Sequence, residues 1–152
     1  MPIIEAGFID QDGRSNSQLL ITNGPTLVVH VGEYDLSESP KNYRSEQALA
    51  LIDTGASLCM IDKYLAERLS LIQIDKCDIS GVGGLKPHPV YMAAVWIPQL
   101  ELSQVGRFVA GYLKDGGQSH DVILGRDFLS KVIMIYDGLR SQVTISSPKL
   151  IK

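Results

Sequence analysis

Short apolar runs separated by turn-forming residues dominate the pattern along the chain. Runs with alternating or continuous apolar positions read "TLVVHVG", "ALALI", "IQIDKCDIS", "HPVYMAAVWIPQLEL", "GRFVAGYL" and "DVILG". Such runs, bounded by glycine, proline and small polar residues, are typical of β-strands. "PIIEAGFID" and "SQLLITN" flank the turn-forming "QDGRSN" and predict an N-terminal hairpin, while "IMIYDG" and "QVTISS" predict a closing hairpin. The pattern therefore predicts a mostly β protein.

Helical spacing occurs in two short places. In "IDKYLAERLSL" the apolar residues Ile61, Tyr64, Leu65 and Leu69 recur at helical intervals, and Asp62 is suited to cap the N-terminus. The segment "RDFLSKV" predicts one or two further helical turns. Between the strands, the polar segment 33–47 predicts a long exposed loop.

Composition and charge narrow the class of protein. The 152 residues are 45% hydrophobic and 20% charged, which suits one domain with a real core. The formal net charge is −3 and no basic run exceeds an isolated pair, so nucleic acid is not an expected partner. The first residues lack a basic signal-peptide start, and no apolar run approaches a membrane span. We therefore expect a cytoplasmic protein without membrane contact.

The two cysteines, Cys59 and Cys77, lack the spacing of a metal or redox motif. Two reduced thiols are the favoured interpretation, and a disulfide is the alternative. His30, His88 and His120 also lack metal-ligand spacing, and we expect a strand-edge, a loop and a surface residue respectively. The sequence predicts no metal site and no cofactor.

Three motifs follow one another in an order that points to chemistry. An apolar strand ends in Asp53-Thr54-Gly55, although a carboxylate is seldom buried unless it is paired. A glycine-rich turn, "GVGG" at residues 81–84, comes next, and "VILGRDFL" at residues 122–129 is an apolar strand that runs into Gly-Arg-Asp.

With "ALIDTGAS", "GVGG" and "ILGRDFL", the chain resembles the retropepsin-like aspartic proteases over residues 25–147. The resemblance implies a single-domain, pepsin-like closed β-barrel with one or two short helices that functions as a dimer. Residues 1–24 would be an N-terminal hairpin extension of the same domain, and residues 148–152 a C-terminal tail. The implied activity is an aspartic endopeptidase acting on peptide or protein substrates.

The chemistry explains why a dimer is expected. Hydrolysis of a peptide without a metal or a covalent nucleophile needs a base for the water and an acid for the carbonyl, which two adjacent carboxylates can supply. The chain has one Asp-Thr-Gly motif, and its other Asp-Gly pairs, at Asp12, Asp115 and Asp137, are typical of surface turns. One motif supplies one carboxylate, so the second must come from Asp53 of another copy on a two-fold axis.

The resemblance also assigns supporting roles around the catalytic Asp53. The catalytic loop would be supported by Thr54, which would bond across the dimer axis, and by Gly55, Ala56 and Ser57. A flap that binds substrate would carry Gly81, Val82, Gly83 and Gly84 at its tip. Structural and interface support would come from Gly125, Arg126 and Asp127, with Arg126 paired to Asp127 of the partner or to Asp62.

Two other functions are compatible with the same sequence. A non-catalytic dimeric domain of this fold could bind peptides or act as a scaffold, because the Asp-Thr-Gly motif also holds the interface. A structural β module with a chance motif would instead be a monomer. Cleavage assays distinguish the first alternative from a protease, and sedimentation distinguishes the second.

Overall fold

The computed structural model describes residues 3–5, 18–33 and 45–148, with residues 3–5 described by their backbone alone. The strands are β1 (Ile3–Glu5), β2 (Thr26–Gly32), β3 (Ser45–Ile52), β4 (Met60–Asp62), β5 (Ile72–Gly81), β6 (Gly84–Ile97), β7 (Leu102–Gly111), β8 (Val122–Leu124), β9 (Ile133–Asp137) and β10 (Gln142–Ser146). The helices are α1 (Leu19–Thr22), α2 (Lys63–Arg68) and α3 (Arg126–Leu129), and a 3-10 turn spans Pro98–Leu100. The prediction of a mostly β protein with few short helices is confirmed.

Most of the described strands belong to one seven-stranded sheet. Its strand order is β2-β3-β8-β4-β7-β6-β5. Strand β2 additionally pairs with β6, where His30 is opposite Trp96 and Gly32 is opposite Ala94. The pairing order thus leads from β2 through β3, β8, β4 and β7 to β6 and back to β2. Strand β5 pairs with β6 and is not part of this ring of strands.

Strand β8 shows why a continuous apolar run forms the centre of this sheet. It is parallel to β3, with Ile52 opposite Leu124, and antiparallel to β4, with Met60 opposite Ile123. All three of its residues are buried, as expected for a short strand with neighbours on both edges and side chains packed on both faces. The core around it is formed by buried aliphatic and aromatic side chains, of which the largest include Val29, Ile61, Leu65, Val95, Ile97, Phe108, Leu124 and Phe128.

A second sheet has three strands in the order β1-β10-β9. Strands β9 and β10 form the predicted closing hairpin, with a register from Ile133 opposite Ser146 to Asp137 opposite Gln142. Strand β9 is the last strand on its side of this sheet in the part of the chain that is described. It nevertheless carries exposed apolar side chains at Ile133, Ile135 and Tyr136.

The predicted N-terminal hairpin is wrong in its second arm. Leu19–Thr22 forms helix α1 instead of a strand, with Leu20 packed into the core. Strand β1 pairs with β10 at the other end of the chain. Short apolar runs such as "LLIT" fit a strand or a helix equally well, so tertiary packing decides between them. Residues 6–17 lie outside the described residues.

The other element predictions mostly agree with the structure. Asp62 caps helix α2, and its Oδ2 accepts a hydrogen bond from the Leu65 N–H at 3.4 Å. Strands β5 and β6 form the predicted long hairpin. The predicted loop at 33–47 ends earlier than expected, because β3 begins at Ser45; residues 34–44 of it lie outside the described part. No helix within the described ranges is long and apolar enough to span a bilayer.

Candidate active site

Asp53 lies directly after β3, at the start of a tight turn. Its N–H donates to the Leu124 carbonyl at 3.0 Å, which extends the pairing of β3 with β8 by one bond. Its carbonyl accepts from the Ala56 N–H at 3.3 Å, and its Oδ1 accepts from the Gly55 N–H at 2.7 Å. The side chain is half-buried. The Asp53 carboxylate therefore lies at the end of β3, and the hydrogen bonds of the turn hold it in place.

Glycine at residue 55 suits the short distance between this residue and the Asp53 carboxylate. A Cβ at residue 55 would lie 3.0 Å from Asp53 Oδ1, closer than ordinary van der Waals contact. Glycine leaves this space to the carboxylate oxygen and presents its N–H to it. This local contact agrees with the supporting role that the motif predicts for Gly55.

The segment after β8 packs against the same turn. A Cβ at Gly125 would lie 2.7 Å from the Leu58 carbonyl oxygen and 2.8 Å from that of Ala56. The Arg126 N–H donates to the Ala56 carbonyl at 2.8 Å, and Arg126 Nη1 donates to the Thr54 carbonyl at 2.8 Å. Two motifs about seventy residues apart in the sequence therefore form one hydrogen-bonded unit.

Asp127 holds the strand that follows the turn. Its Oδ2 accepts from the Cys59 N–H at 3.0 Å, and its Oδ1 accepts from the Cys59 thiol at 2.9 Å and from the Phe128 N–H at 2.8 Å. Burial, together with the hydrogen bond to Asp127, raises the pKa of the Cys59 thiol to about 12. Cys59 is fully buried, and both cysteines are free thiols, which was the favoured interpretation of the sequence.

Within residues 18–33 and 45–148, Arg126 forms no ion pair with Asp62 of the same chain. Asp62 is buried, and its carboxylate accepts from the backbone N–H groups of Leu65 and Lys114. Its position as the N-cap of α2 uses these oxygens for backbone groups that would otherwise lack a partner. The guanidinium of Arg126 instead bonds the Thr54 carbonyl. The alternative pairing, with Asp127 of a partner, stays a prediction.

A cleft of about 360 Å³ separates the Asp53 turn from the β5–β6 hairpin. It is lined by Gly55, Ala56, Ser57, Leu58, Met60, Cys77, Asp78, Ile79 and Ser80. The residues from the turn include three predicted from the sequence. The side of the cleft formed by β5 was not predicted, because only the glycines of the hairpin tip were recognisable as a motif.

The hairpin tip itself lies beyond this cleft lining. Gly81 pairs with Gly84, and the two residues between them, Val82 and Gly83, form the turn. Val82 is fully exposed, and Gly84 has a φ of +87°, a conformation that glycine adopts without strain. The predicted flap residues thus sit at the end of a long hairpin, while the cleft beside the Asp53 turn is lined by Cys77–Ser80 of β5.

The three histidines differ from their predicted places. His30 lies within β2 between β3 and β6, and not at a sheet edge. His88 belongs to β6, not to a loop, and its Nδ1 lies 3.0 Å from the Ala110 carbonyl oxygen. His120 is buried, not on the surface, with Nε2 2.7 Å from Thr26 Oγ1, and burial lowers its pKa. Within the described ranges no group of three or more His, Cys, Asp or Glu side chains is placed to hold a metal ion.

Comparison with known proteins adds to this geometry. The family model described as aspartyl protease matches residues 43–128, which span the Asp53 turn, the hairpin and α3 up to Phe128. No curated protein sequence matches the chain.

The solved structures that are similar to the chain include the following three. The EIAV protease complexed with the inhibitor HBY-793 is 21% identical, with 70% of this chain and 85% of that chain covered and a TM-score of 0.48. A retropepsin-like aspartic protease from Rickettsia conorii is 15% identical, with 94% and 89% covered and a TM-score of 0.48. The retroviral protease-like domain of Ddi1 from Leishmania major is 18% identical, with 74% and 77% covered and a TM-score of 0.38.

The match to the family model includes more than half of the sequence and both motifs that hold the Asp53 turn. It confirms the relationship that these motifs predicted. The chain belongs to the aspartyl protease family.

Proposed function

We propose that this protein is an aspartic endopeptidase that acts as a homodimer, with Asp53 of each protomer meeting at the two-fold axis. The observation that carries the proposal is the half-buried Asp53 carboxylate, held by the Gly55 N–H at 2.7 Å beside an open cleft. One chain contributes one such carboxylate, and the reaction needs two.

The two carboxylates share one proton, because like charges at close range oppose double ionisation. The ionised carboxylate takes a proton from a water molecule while the protonated one donates to the carbonyl oxygen of the peptide bond. The water oxygen then bonds to the carbonyl carbon and forms a tetrahedral intermediate. When the C–N bond breaks, the protonated carboxylate gives its proton to the leaving nitrogen, and a hydroxyl of the intermediate gives its proton to the other carboxylate, so that the dyad again holds one proton.

Strand β5 is suited to bind the substrate backbone. It is the last strand of the large sheet, and part of it lines the cleft. An extended peptide can pair with such an edge as an added strand, so that its scissile bond lies beside Asp53. Gly81, Val82, Gly83 and Gly84 at the hairpin tip would close over the peptide, and glycines favour such movement.

The three-stranded sheet supports the dimeric part of the proposal. Strand β9 ends this sheet and exposes Ile133 and Ile135 to 49% and 62% of their maximal areas. An apolar strand at a sheet edge favours pairing with another chain. A second copy that pairs here would remove this apolar surface from water.

The first test is Asp53→Asn, assayed on an unfolded, fluorescently labelled protein from about pH 4 to 7, where carboxylate dyads work. The variant keeps an acceptor for the Gly55 N–H but cannot act as the base, so cleavage should fall by about 100-fold or more. Asp115→Asn is the matched control, because Asp115 is likewise an acid in a glycine-containing turn, and it is exposed. It should keep full activity.

The outcomes of this test separate the possible functions. Cleavage that survives in Asp53→Asn rejects the mechanism. A wild-type dimer that binds the unfolded protein without cleaving it, over the whole pH range, would favour the non-catalytic peptide-binding domain. An inhibitor of aspartic proteases should abolish the wild-type cleavage.

A further inference from the structure

Among the described residues that line the cleft beside the Asp53 turn, Asp78 is the one charged residue. Four of the lining residues, Ala56, Leu58, Met60 and Ile79, are apolar, and the others apart from Asp78 are glycine, serine and cysteine. Asp78 lies in β5, three residues before the hairpin tip begins at Gly81. None of these described lining residues is basic.

The Asp78 carboxylate is available to a ligand. It is exposed, and within residues 18–33 and 45–148 no hydrogen bond or ion pair engages it. The strand register places Pro87 opposite Asp78, while the nearby Lys86 is opposite Ile79. An unpaired carboxylate in a cleft without cations attracts a cationic group.

The neighbouring Asp75 shows the contrast. Its Oδ2 accepts from Arg107 Nη2 at 2.7 Å, and its Oδ1 accepts from the Lys76 N–H at 2.8 Å. These bonds fix the base of the hairpin to β7 where the β5–β6 register shifts between Gln73 and Asp75. Asp75 therefore has a structural explanation within the fold, which Asp78 lacks.

We propose that Asp78 is a specificity-determining residue that selects peptide substrates with a Lys or Arg side chain facing β5. The inference rests on the proposed protease function. The charged end of the basic side chain would reach the Asp78 carboxylate, and its aliphatic stem would lie along β5 on the strand face that Asp78 shares with Ser80. In a two-fold dimer each protomer contributes one Asp78, so the preference falls at two positions, one on each side of the scissile bond.

The experiment uses the wild-type homodimer and a mixture of unstructured peptides of equal length, with cleavage sites read by mass spectrometry. Lys and Arg should be enriched at one position on each side of the cleaved bond. At those positions, a peptide with Lys should show a kcat/KM about fivefold above that of its norleucine counterpart, the upper range for a partly exposed ion pair. Raising the salt to about 1 M should reduce this ratio, because salt screens exposed charges.

Three variants test whether Asp78 causes the preference for Lys and Arg. Asp78→Asn should make the kcat/KM values of the Lys and norleucine peptides equal, and an unchanged midpoint of urea unfolding should show that the variant folds. Asp78→Lys should reverse the preference towards Glu. Glu67→Gln, which removes an exposed acid on α2 away from the cleft lining, should leave the Lys preference intact.

The experiment distinguishes a failure of this inference about Asp78 from a failure of the proposed protease function. Cleavage by the wild type without enrichment of Lys or Arg, or an enrichment that Asp78→Asn retains, overturns the role of Asp78 and leaves the protease. A wild-type dimer that cleaves no peptide overturns the proposed function and the specificity together.

Discussion

At the scale of the residue, Gly125 sets the distance between α3 and the Asp53 turn. A side chain at residue 125 would press on two backbone carbonyl oxygens, at 2.7 Å and 2.8 Å, which cannot move aside as the end of a side chain can. The fit depends on the absence of a Cβ, since Gly125 has an ordinary φ of −87°.

Gly125→Ala should therefore destabilise the fold by about 1–3 kcal/mol, the range for an overpacked site, and should weaken peptide cleavage beyond that loss. Urea unfolding and the cleavage assay measure the two effects. Gly138→Ala is the control, because its Cβ would meet only the Tyr136 ring at 3.5 Å; it should change the stability by less than about 0.5 kcal/mol. A Gly125→Ala protein of normal stability and activity would contradict the close contact.

At the scale of the element, β9 combines an open sheet edge with exposed apolar side chains. Ile135 lies at the middle of this strand, opposite Thr144 of β10. If β9 forms part of the dimer interface, a charge at residue 135 would have to be buried without a partner.

Ile135→Lys should raise the dimer dissociation constant by about tenfold or more, the effect of losing a central apolar contact. Cleavage should fall at low protein concentration and recover at high concentration. Sedimentation at several protein concentrations measures the dimer dissociation constant. Ile21→Lys is the control, since Ile21 is 80% exposed on α1, and unchanged dimerisation in Ile135→Lys would place the interface elsewhere.

At the scale of the whole molecule, the proposed active site draws on two chains, which has a testable consequence for mixtures of wild type and variant. Wild type and Asp53→Asn, refolded together in equal amounts, should form homodimers and mixed dimers at random. A mixed dimer has one of its two carboxylates and should not cleave.

The activity per wild-type chain should then fall to about one half in the equal mixture and to about one tenth at a ninefold excess of the variant, as random pairing in a two-fold dimer requires. Titration of the variant into a fixed amount of wild type before refolding measures this decline. Addition of the variant after refolding, without exchange of subunits, is the control. Activity that stays constant would show that one chain suffices.

Local patterns in the sequence were enough for much of the fold. The alternation in β6, the continuous apolar run of β8 and the N-cap of α2 depend on residues within a few positions of each other, so they can be read from the chain directly. The Asp53 turn is equally local, since Gly55 lies two residues from the carboxylate that it binds.

Contacts between distant parts of the chain were decided by the tertiary structure alone. The thiol of Cys59 meets Asp127, 68 positions away, and β1 pairs with β10. Helix α1 forms because Leu20 has a place in the core, which the run "LLIT" does not reveal. The position of Asp78 in the lining of the cleft likewise follows from the tertiary structure.

The sequence by itself determined the family, and it predicted the acid and the need for a second copy, because these inferences depend on residue types in a short motif. Only the tertiary structure decided which side chains surround that acid, since a strand exposes alternate residues to whatever the fold brings opposite them. In this protein the fold brings β5 opposite the Asp53 turn, with Asp78 as the one charged residue among the described residues that line the cleft between them.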